Sequence, residues 1–392
     1  MHYPRFLHLI QPLKWSLAAA LVLGLAACSN NDDDDNNASN PPAASTQQFS
    51  AALSGEQEVP PTASGALGTG TLSFDSTTRS IIGSITLDGV TASAAHIHPA
   101  EVGANGPIIV PLTETTPGTW SVPAGTTLTA AQASALTAGG LYFNAHSTAN
   151  PTGEIRGQIG RDVFAAQLSS AQEVPANASS ATGTGVLSFD PASKKFSARI
   201  TLSGLAATAA HIHAGTPGIS GPVIFPLSET TVGSGVWVSA ADETLNVAEL
   251  ALLKAGGLYF NAHSAALPNG EIRGQIGRNV RFASLSPTQE VPPASSSASG
   301  TGRLVVDPAT RAASGSITVS GMTATAAHIH LAATGVNGPV IVPLTNAGGG
   351  VFDLPSGTVL TAAQLLAYKQ GNLYFNAHSV AFPNGEIRGQ IR

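Results

Sequence analysis

The chain has 392 residues with a formal net charge of −6, and only 10% of them are charged and 5% aromatic, against 42 glycines and 26 prolines. This composition excludes a coiled coil or another long-helix architecture, because glycine and proline are poor in helix interiors. The sequence contains no dense run of lysine and arginine, so we expect no nucleic-acid partner.

Residues 1–27 are typical of a secretory signal peptide of lipoprotein type. Arg5 and Lys14 provide a basic start, and the apolar run that follows is shorter than the about 20 residues of a membrane span. The run ends in Leu-Ala-Ala-Cys28, which resembles a bacterial lipobox, and Ser29 resembles the outer-membrane sorting pattern. We expect the protein to be exported and anchored in the outer membrane by a lipid on Cys28. The sequence leaves open whether the protein faces the periplasm or the cell surface. An ordinary cleavage site beside a chance cysteine is the alternative.

Residues 28–47 are predicted to be a disordered acidic tether. They include Asp32 to Asp35, several asparagines and serines, and Pro41-Pro42, without any hydrophobic period. Such a segment buries too little apolar surface to offset the entropy that ordering would cost. The tether would separate the anchor from the rest of the chain.

The remainder of the chain is one unit repeated three times. Four blocks recur in the same order at spacings of 115 or 117 residues: Gln-Glu-Val-Pro from Gln57, Gln172 and Gln289, Ala-His-Ile-His from Ala95, Ala210 and Ala327, Leu-Tyr-Phe-Asn-Ala-His-Ser from Leu141, Leu258 and Leu373, and Gly-Glu-Ile-Arg-Gly-Gln-Ile from Gly153, Gly270 and Gly385. A unit of this length suits a small domain with its own core. We therefore predict three domains at residues 48–161, 162–279 and 280–392.

Each unit is predicted to be an all-β domain with one short helix. Short runs with apolar residues at every second position alternate with Gly, Pro, Asn and Ser clusters, which is typical of strands and turns. Thr129, Asn246 and Thr361 each stand three residues before Gln or Glu, which predicts a helix that begins with a capping box. Seven or eight strands in a Greek-key sandwich or barrel would accommodate these runs.

The four repeated blocks, together with Asn-Gly-Pro or Ser-Gly-Pro between them, resemble the CHRD domain, which occurs in chordin and in secreted microbial proteins. The resemblance covers residues 48–392. It implies three tandem immunoglobulin-like β-barrels, distantly similar to copper/zinc superoxide dismutase, and it implies no settled activity.

The histidines are the residues with the clearest chemistry. Apart from His2 and His8 in the signal, all of the 11 histidines fall at three equivalent positions per unit. Two histidines at i and i+2 of a strand share one face, about 6.6 Å apart. The nine candidate metal ligands are His96, His98 and His146; His211, His213 and His263; and His328, His330 and His378.

Alternation along two further strands places an asparagine, a glutamate and an arginine of each unit on non-core faces. If these strands neighbour the His-x-His strand, one polar patch forms in each domain. The candidate residues around the histidines are Asn144, Glu154 and Arg156; Asn261, Glu271 and Arg273; and Asn376, Glu386 and Arg388.

Two interpretations of the histidines stay open. One is a three-histidine site for copper or zinc with an open coordination position. The resemblance to superoxide dismutase supports it, because His-x-His, a later histidine and a terminal arginine match part of that copper site in type and order. The loop after His98 offers no match to the bridging and zinc ligands, so dismutation is not expected. The other interpretation is a neutral histidine network, bonded to Glu154, Asn144 and the backbone, that sets strand pairing.

No second carboxylate recurs beside Glu58, Glu173 and Glu290 in the sequence, and no Ser-His-Asp arrangement is repeated. We therefore expect an envelope-anchored, non-enzymatic array of three domains that binds an unknown extracellular or periplasmic ligand, since repeated display raises avidity. The alternative function is a copper- or zinc-binding protein, with or without redox activity.

Overall fold

A computed structural model describes residues 46–392. The predicted signal peptide, Cys28 and the tether up to residue 45 lie outside the described residues, and the first strand begins at Thr46, inside the segment 28–47. No helix in the described part of the chain is long and apolar enough to cross a membrane.

Domain 1 is a nine-stranded antiparallel sheet that curls around one core, with strand order β5-β4-β8-β9-β1-β2-β3-β7-β6. Its elements are β1 (Thr46–Ser54), β2 (Leu67–Asp75), β3 (Ile81–Asp88), β4 (Ala94–Pro99), β5 (Val110–Pro111), β6 (Thr113–Thr116), β7 (Thr119–Ser121), α1 (Ala130–Thr137), β8 (Leu141–His146) and β9 (Ile155–Gln158).

Domain 2 is a closed barrel with strand order β10-β11-β12-β15-β14-β13-β16-β17. Its elements are β10 (Asp162–Ser169), β11 (Thr182–Phe189), β12 (Phe196–Ser203), β13 (Ala207–Ala214), β14 (Val223–Glu229), β15 (Val236–Val238), α2 (Val247–Ala255), β16 (Leu258–Ser264) and β17 (Ile272–Gln275).

Domain 3 has the same elements divided between two sheets, β18-β19-β20-β24-β23 and β22-β21-β25-β26. An isolated bridge between Ser286 and Arg388 joins the sheets along one side. The elements are β18 (Asn279–Leu285), β19 (Ser299–Val306), β20 (Ala313–Ser320), β21 (Ala324–Leu331), β22 (Val340–Pro343), β23 (Thr345–Gly348), β24 (Val351–Asp353), α3 (Ala362–Lys369), β25 (Leu373–Ser379) and β26 (Ile387–Gln390).

The three domains differ in the closure of the barrel and agree in the rest of their topology. β14 is continuous in domain 2 and pairs with both β13 and β15. Its counterpart is divided into β5 and β6 in domain 1, and into β22 and β23 in domain 3, so the sheet opens at that point. The prediction of three all-β barrel domains with one short helix each is confirmed.

Local sequence explains both the helices and the tight core. All three helices begin with a complete capping box, in which Thr129, Asn246 or Thr361 accepts a backbone N–H bond and the Gln or Glu three residues later returns one. In the barrel interior, Gly185 leaves room for Phe260, because a Cβ there would lie 2.6 Å from the ring. The repeated Gly-Thr-Gly strand and the Leu-Tyr-Phe strand therefore fit each other.

Candidate metal centre

In each domain the His-x-His strand pairs with the strand that carries the third histidine. In domain 1 the register of β4 and β8 places His96 opposite Asn144, and Ala94 opposite His146. β8 also pairs with β9, where Asn144 lies opposite Arg156. The same neighbours are β13, β16 and β17 in domain 2, and β21, β25 and β26 in domain 3. The polar sides of these strands form one patch in every domain.

Three imidazoles converge on this patch. Nδ1 of His96 lies 3.1 Å from Nε2 of His146, and the ligand nitrogens of His96, His98 and His146 all lie within 4.8 Å of one another. The corresponding nitrogens in domains 2 and 3 are also 3.1 Å apart. Two nitrogens bound to a tetrahedral ion at about 2.0–2.1 Å would lie about 3.4 Å from each other. The clusters therefore have the dimensions of a three-histidine metal site.

Backbone carbonyls orient two of the three rings. Nδ1 of His98 lies 3.0 Å from the carbonyl oxygen of Gly106, and Nδ1 of His146 lies 3.1 Å from that of Pro151. Since a carbonyl oxygen only accepts hydrogen bonds, Nδ1 carries the proton in both neutral rings, and Nε2 keeps its lone pair. The equivalent bonds occur in domains 2 and 3. Both Nε2 atoms are thus prepared to act as ligands.

One of these lone pairs is buried without a partner. Nε2 of His98 has no hydrogen-bond partner within residues 46–392, and the same holds for Nε2 of His213 and His330. A buried polar atom that remains unsatisfied costs about 1–3 kcal/mol. Because the same atom is unsatisfied in all three domains, this cost is a repeated feature of the site.

The histidines are held in the neutral form that binds metals. Burial lowers the pKa of all nine below the ordinary value. For His96, burial and then the neighbouring His146 and His98 lower the pKa to about 4. Few protons would therefore compete with a metal ion at neutral pH.

A stack of side chains supports His98 from behind. The His98 ring lies parallel to the Tyr142 ring, with centroids 5.0 Å apart, and Cζ of Arg156 lies 3.5 Å from the centroid of Tyr142. Arg156 is 1% exposed and donates hydrogen bonds to the carbonyl oxygens of Ala104 and Glu101. The arginine thus holds the loop whose next residues include the Gly106 carbonyl that orients His98. Arg273 and Arg388 form the same stack.

The asparagine and glutamate predicted beside the histidines have other partners. Asn144 donates to the buried carboxylate of Glu58 at 3.0 Å, and Glu154 accepts from Ser64 and Ser147. Asn261, Asn376, Glu271 and Glu386 repeat these contacts with Glu173, Glu290, Ser179 and Ser296. Within residues 46–392, no hydrogen bond joins Asn144, Glu154 or Arg156 to an imidazole, so their relation to the histidines is indirect.

Glu58 forms a second polar cluster with Asn144, close to the histidines. Burial raises the pKa of Glu58 to about 7, against the opposing effects of the Asn144 hydrogen bond and the Arg156 charge. The pKa of Glu173 is raised to about 7 and that of Glu290 is raised as well, again chiefly by burial. Sequence reasoning noticed these glutamates but did not connect them with the asparagines, because 86 residues separate Glu58 from Asn144.

The supporting groups that sequence reasoning missed are mostly backbone atoms. No pattern of side chains identifies the carbonyls of Gly106 and Pro151, and no local pattern connects Tyr142 with Arg156. The available signal was the repeated Asn-Gly-Pro or Ser-Gly-Pro block, which lies seven to nine residues after the second histidine of each pair in the sequence.

Comparison with protein families identifies the domains. The model of the CHRD domain matches residues 49–159, 164–276 and 281–391. The chain belongs to the CHRD domain family. No curated protein and no solved structure matches it. Each CHRD domain of this protein carries one complete histidine cluster.

Proposed function

We propose that each CHRD domain binds one copper or zinc ion through its three histidines, and that the protein is a non-enzymatic array of three such domains. The observation that carries the proposal is the buried, unpartnered Nε2 of His98, His213 and His330. It lies beside two further histidine nitrogens in each domain. A bound ion would satisfy the buried nitrogen, and imidazole ligands suit both metals.

The ligand atoms in domain 1 would be Nδ1 of His96 and Nε2 of His98 and His146. The three candidate metal-binding groups found within residues 46–392 consist of histidines alone. An ion held there would retain an open position for a ligand from outside. The hydrogen bonds from His98 and His146 to backbone carbonyls would keep the rings in place.

A non-enzymatic role is supported by the surroundings of the recurrent carboxylates. Glu58 is 5% exposed, and its side chain accepts from Asn144. The carboxylate of Glu154 accepts from two serines. Neither arrangement resembles a general acid paired with a general base.

Metal analysis of the purified full chain tests this function. After reconstitution with copper or with zinc in separate samples and removal of excess ion, we expect three ions per chain. His96→Ala, His211→Ala and His328→Ala should each remove one ion, and the triple variant all three. Asp353→Ala, a change of an exposed residue of β24, is the control and should retain three. Protein that stays metal-free with both ions would contradict the proposal.

We also propose that the protein is exported and anchored to the cell envelope by a lipid on Cys28. The support is the basic and apolar sequence before Leu-Ala-Ala-Cys28. Fractionation of cells that produce the full chain should place it in the membrane fraction. Cys28→Ala should release it into the soluble fraction, and unchanged membrane association would contradict the anchor.

A further inference from the structure

Consecutive domains meet through an ion pair that is repeated. Arg161, at the end of domain 1, lies 2.5 Å from Asp190 of domain 2. Arg278, at the end of domain 2, lies 3.0 Å from Asp307 of domain 3. The two aspartates follow equivalent strands, β11 and β19. The first junction therefore has a counterpart in the second.

The same junctions bring a loop of one domain against a strand of the next. The guanidinium of Arg303 on β19 donates to the carbonyl oxygen of Pro217 at 2.7 Å, and a Cβ on Gly218 would lie 2.3 Å from that guanidinium. At the first junction, Val102 lines a cleft together with Val186, the residue of β11 equivalent to Arg303. We call residues 101–105, 216–220 and 333–337 the loop faces. The outer sides of β2–β3, β11–β12 and β19–β20 are the strand faces.

Within residues 46–392, one loop face and one strand face lack this kind of contact. Thr334 of domain 3 is exposed, whereas its equivalents at the two junctions, Val102 and Pro217, are half-buried. Thr71 of domain 1 is exposed, whereas its equivalents Val186 and Arg303 are half-buried. Val336 and Ile82 lie on the same two faces and are exposed as well. The positions that meet at the two junctions are therefore uncovered on these two faces.

The charged groups at these two faces are also unpaired. Asp75, equivalent to Asp190 and Asp307, accepts hydrogen bonds from the backbone of Thr77 and Thr78. No ion pair of Asp75 occurs among residues 46–392. Arg392 follows Ile391 directly, one position earlier than Arg161 follows Ile159, and donates to Thr334 of the loop face. The guanidinium of Arg392 on the loop face and the carboxylate of Asp75 on the strand face thus have no ion-pair partner within residues 46–392.

Domains 1 and 3 do touch, but they use different residues. Lys369 of α3 lies 2.9 Å from Glu56 and donates to the carbonyl oxygen of Ser64, and Arg311 pairs with Asp88. These contacts leave Ile82 and Val336 exposed. The three domains therefore do not close into a ring of equal junctions.

We propose that a second copy of this chain occupies the two free faces. The loop face of domain 3 in one copy packs on the strand face of domain 1 in the next copy, repeating the junction that exists twice within the chain. Arg392 faces Asp75 and Thr334 faces Thr71, in the places that Arg161 and Asp190, and Val102 and Val186, take at the first junction. Such a head-to-tail contact joins different surfaces of the two copies and builds a chain of molecules or a larger ring.

Sedimentation velocity over a concentration series tests this assembly. The sample is the full chain with Cys28→Ser, which prevents lipid attachment, kept free of metal by a chelator so that the result is independent of the metal proposal. We expect self-association that weakens at least tenfold in Arg392→Asp and in Asp75→Arg. Asp353→Arg, which changes an exposed acidic residue of β24, is the matched control and should associate like the parent.

Charge exchange separates a specific contact from a general loss of structure. The double variant Arg392→Asp/Asp75→Arg should regain the association of the parent, and an equimolar mixture of the two single variants should associate although neither does so alone. A chain that stays monomeric at every concentration would overturn the proposal. Association that neither single substitution weakens would overturn it as well.

Discussion

Each domain has two polar clusters on one side of the sheet: the histidine cluster, and the carboxylate cluster of Glu58 and Asn144 or their equivalents. The clusters differ in whether their buried polar atoms have hydrogen-bond partners. In the carboxylate cluster, Asn144 donates to Glu58, and the same bond occurs in all three domains. In the histidine cluster, the buried Nε2 of His98 has no donor within residues 46–392, and this too occurs in all three domains. A cluster whose charged group is bonded internally can be structural. A repeated cluster with an unsatisfied acceptor indicates a ligand that comes from outside.

Arg156→Ala should produce the largest change, because it removes the support that both clusters share. The substitution removes the two hydrogen bonds from the guanidinium to the carbonyl oxygens of Ala104 and Glu101 and leaves a cavity against the Tyr142 ring. We expect the free energy of unfolding of domain 1 to fall by about 3 kcal/mol or more. Urea unfolding measures it.

Arg199→Ala, which changes an exposed arginine of β12, is the matched control for that change. Substitutions of exposed residues usually change the free energy of unfolding by about 0.5 kcal/mol or less. Equal effects of the two arginines would contradict the supporting role that we assign to Arg156.

Metal binding should stabilise the histidine cluster and leave the carboxylate cluster unaffected. At a free metal concentration of about 100 times the dissociation constant, binding to the folded state adds about 2.7 kcal/mol to its stability. His98→Ala should abolish this gain in domain 1, since it removes the buried ligand nitrogen. Thermal unfolding with zinc and with a chelator measures the gain, and Glu58→Gln is the control that should keep it.

Glu58→Gln should remove the pH dependence of stability that the carboxylate cluster causes. Burial raises the pKa of Glu58 from 4.5 to about 7, so the folded state binds more protons than the unfolded state between these values. Stability is therefore lost as pH rises through this range. The glutamine variant avoids that loss and should be more stable than the parent by about 1–3 kcal/mol at pH 8, with little difference at pH 4. Urea unfolding at pH 4 and pH 8 measures the difference, and equal stabilities of parent and variant at pH 8 would contradict the raised pKa.

The histidines should respond to pH in the opposite direction and by a smaller amount. Burial lowers the pKa of His96 from 6.5 to about 4, so the unfolded state binds more protons and the metal-free protein loses stability as pH falls through this range. His96→Gln should flatten this dependence, by less than about 2 kcal/mol because the ring is partly exposed. Unfolding free energies at pH 7 and pH 4.5 measure it, and an unchanged slope would contradict the pKa assignment.

Much of the fold could be predicted from local sequence. The Thr129, Asn246 and Thr361 capping boxes marked the helix starts, since a cap depends on residues only three positions apart. Alternation separated the buried side of each strand from the polar side, because the side-chain period of a strand is two. The same alternation placed the histidines of each domain on one face before their neighbours were known.

Contacts between distant segments were not predictable in this way. Asn144 was expected beside the histidines and instead donates to Glu58, while Arg156 stacks on Tyr142 and bonds to a loop. Alternation determines the side of the sheet on which a residue lies, but its partner depends on which loop covers that side.

For this protein, sequence alone determined the three-fold repeat, the strand faces and the nine candidate ligands, because these features depend on spacing along the chain. Tertiary structure decided which ring nitrogens are available, through the carbonyls of Gly106 and Pro151, and which domain faces remain unpaired. These properties depend on backbone atoms and surfaces that are far apart in sequence, so no local pattern predicts them.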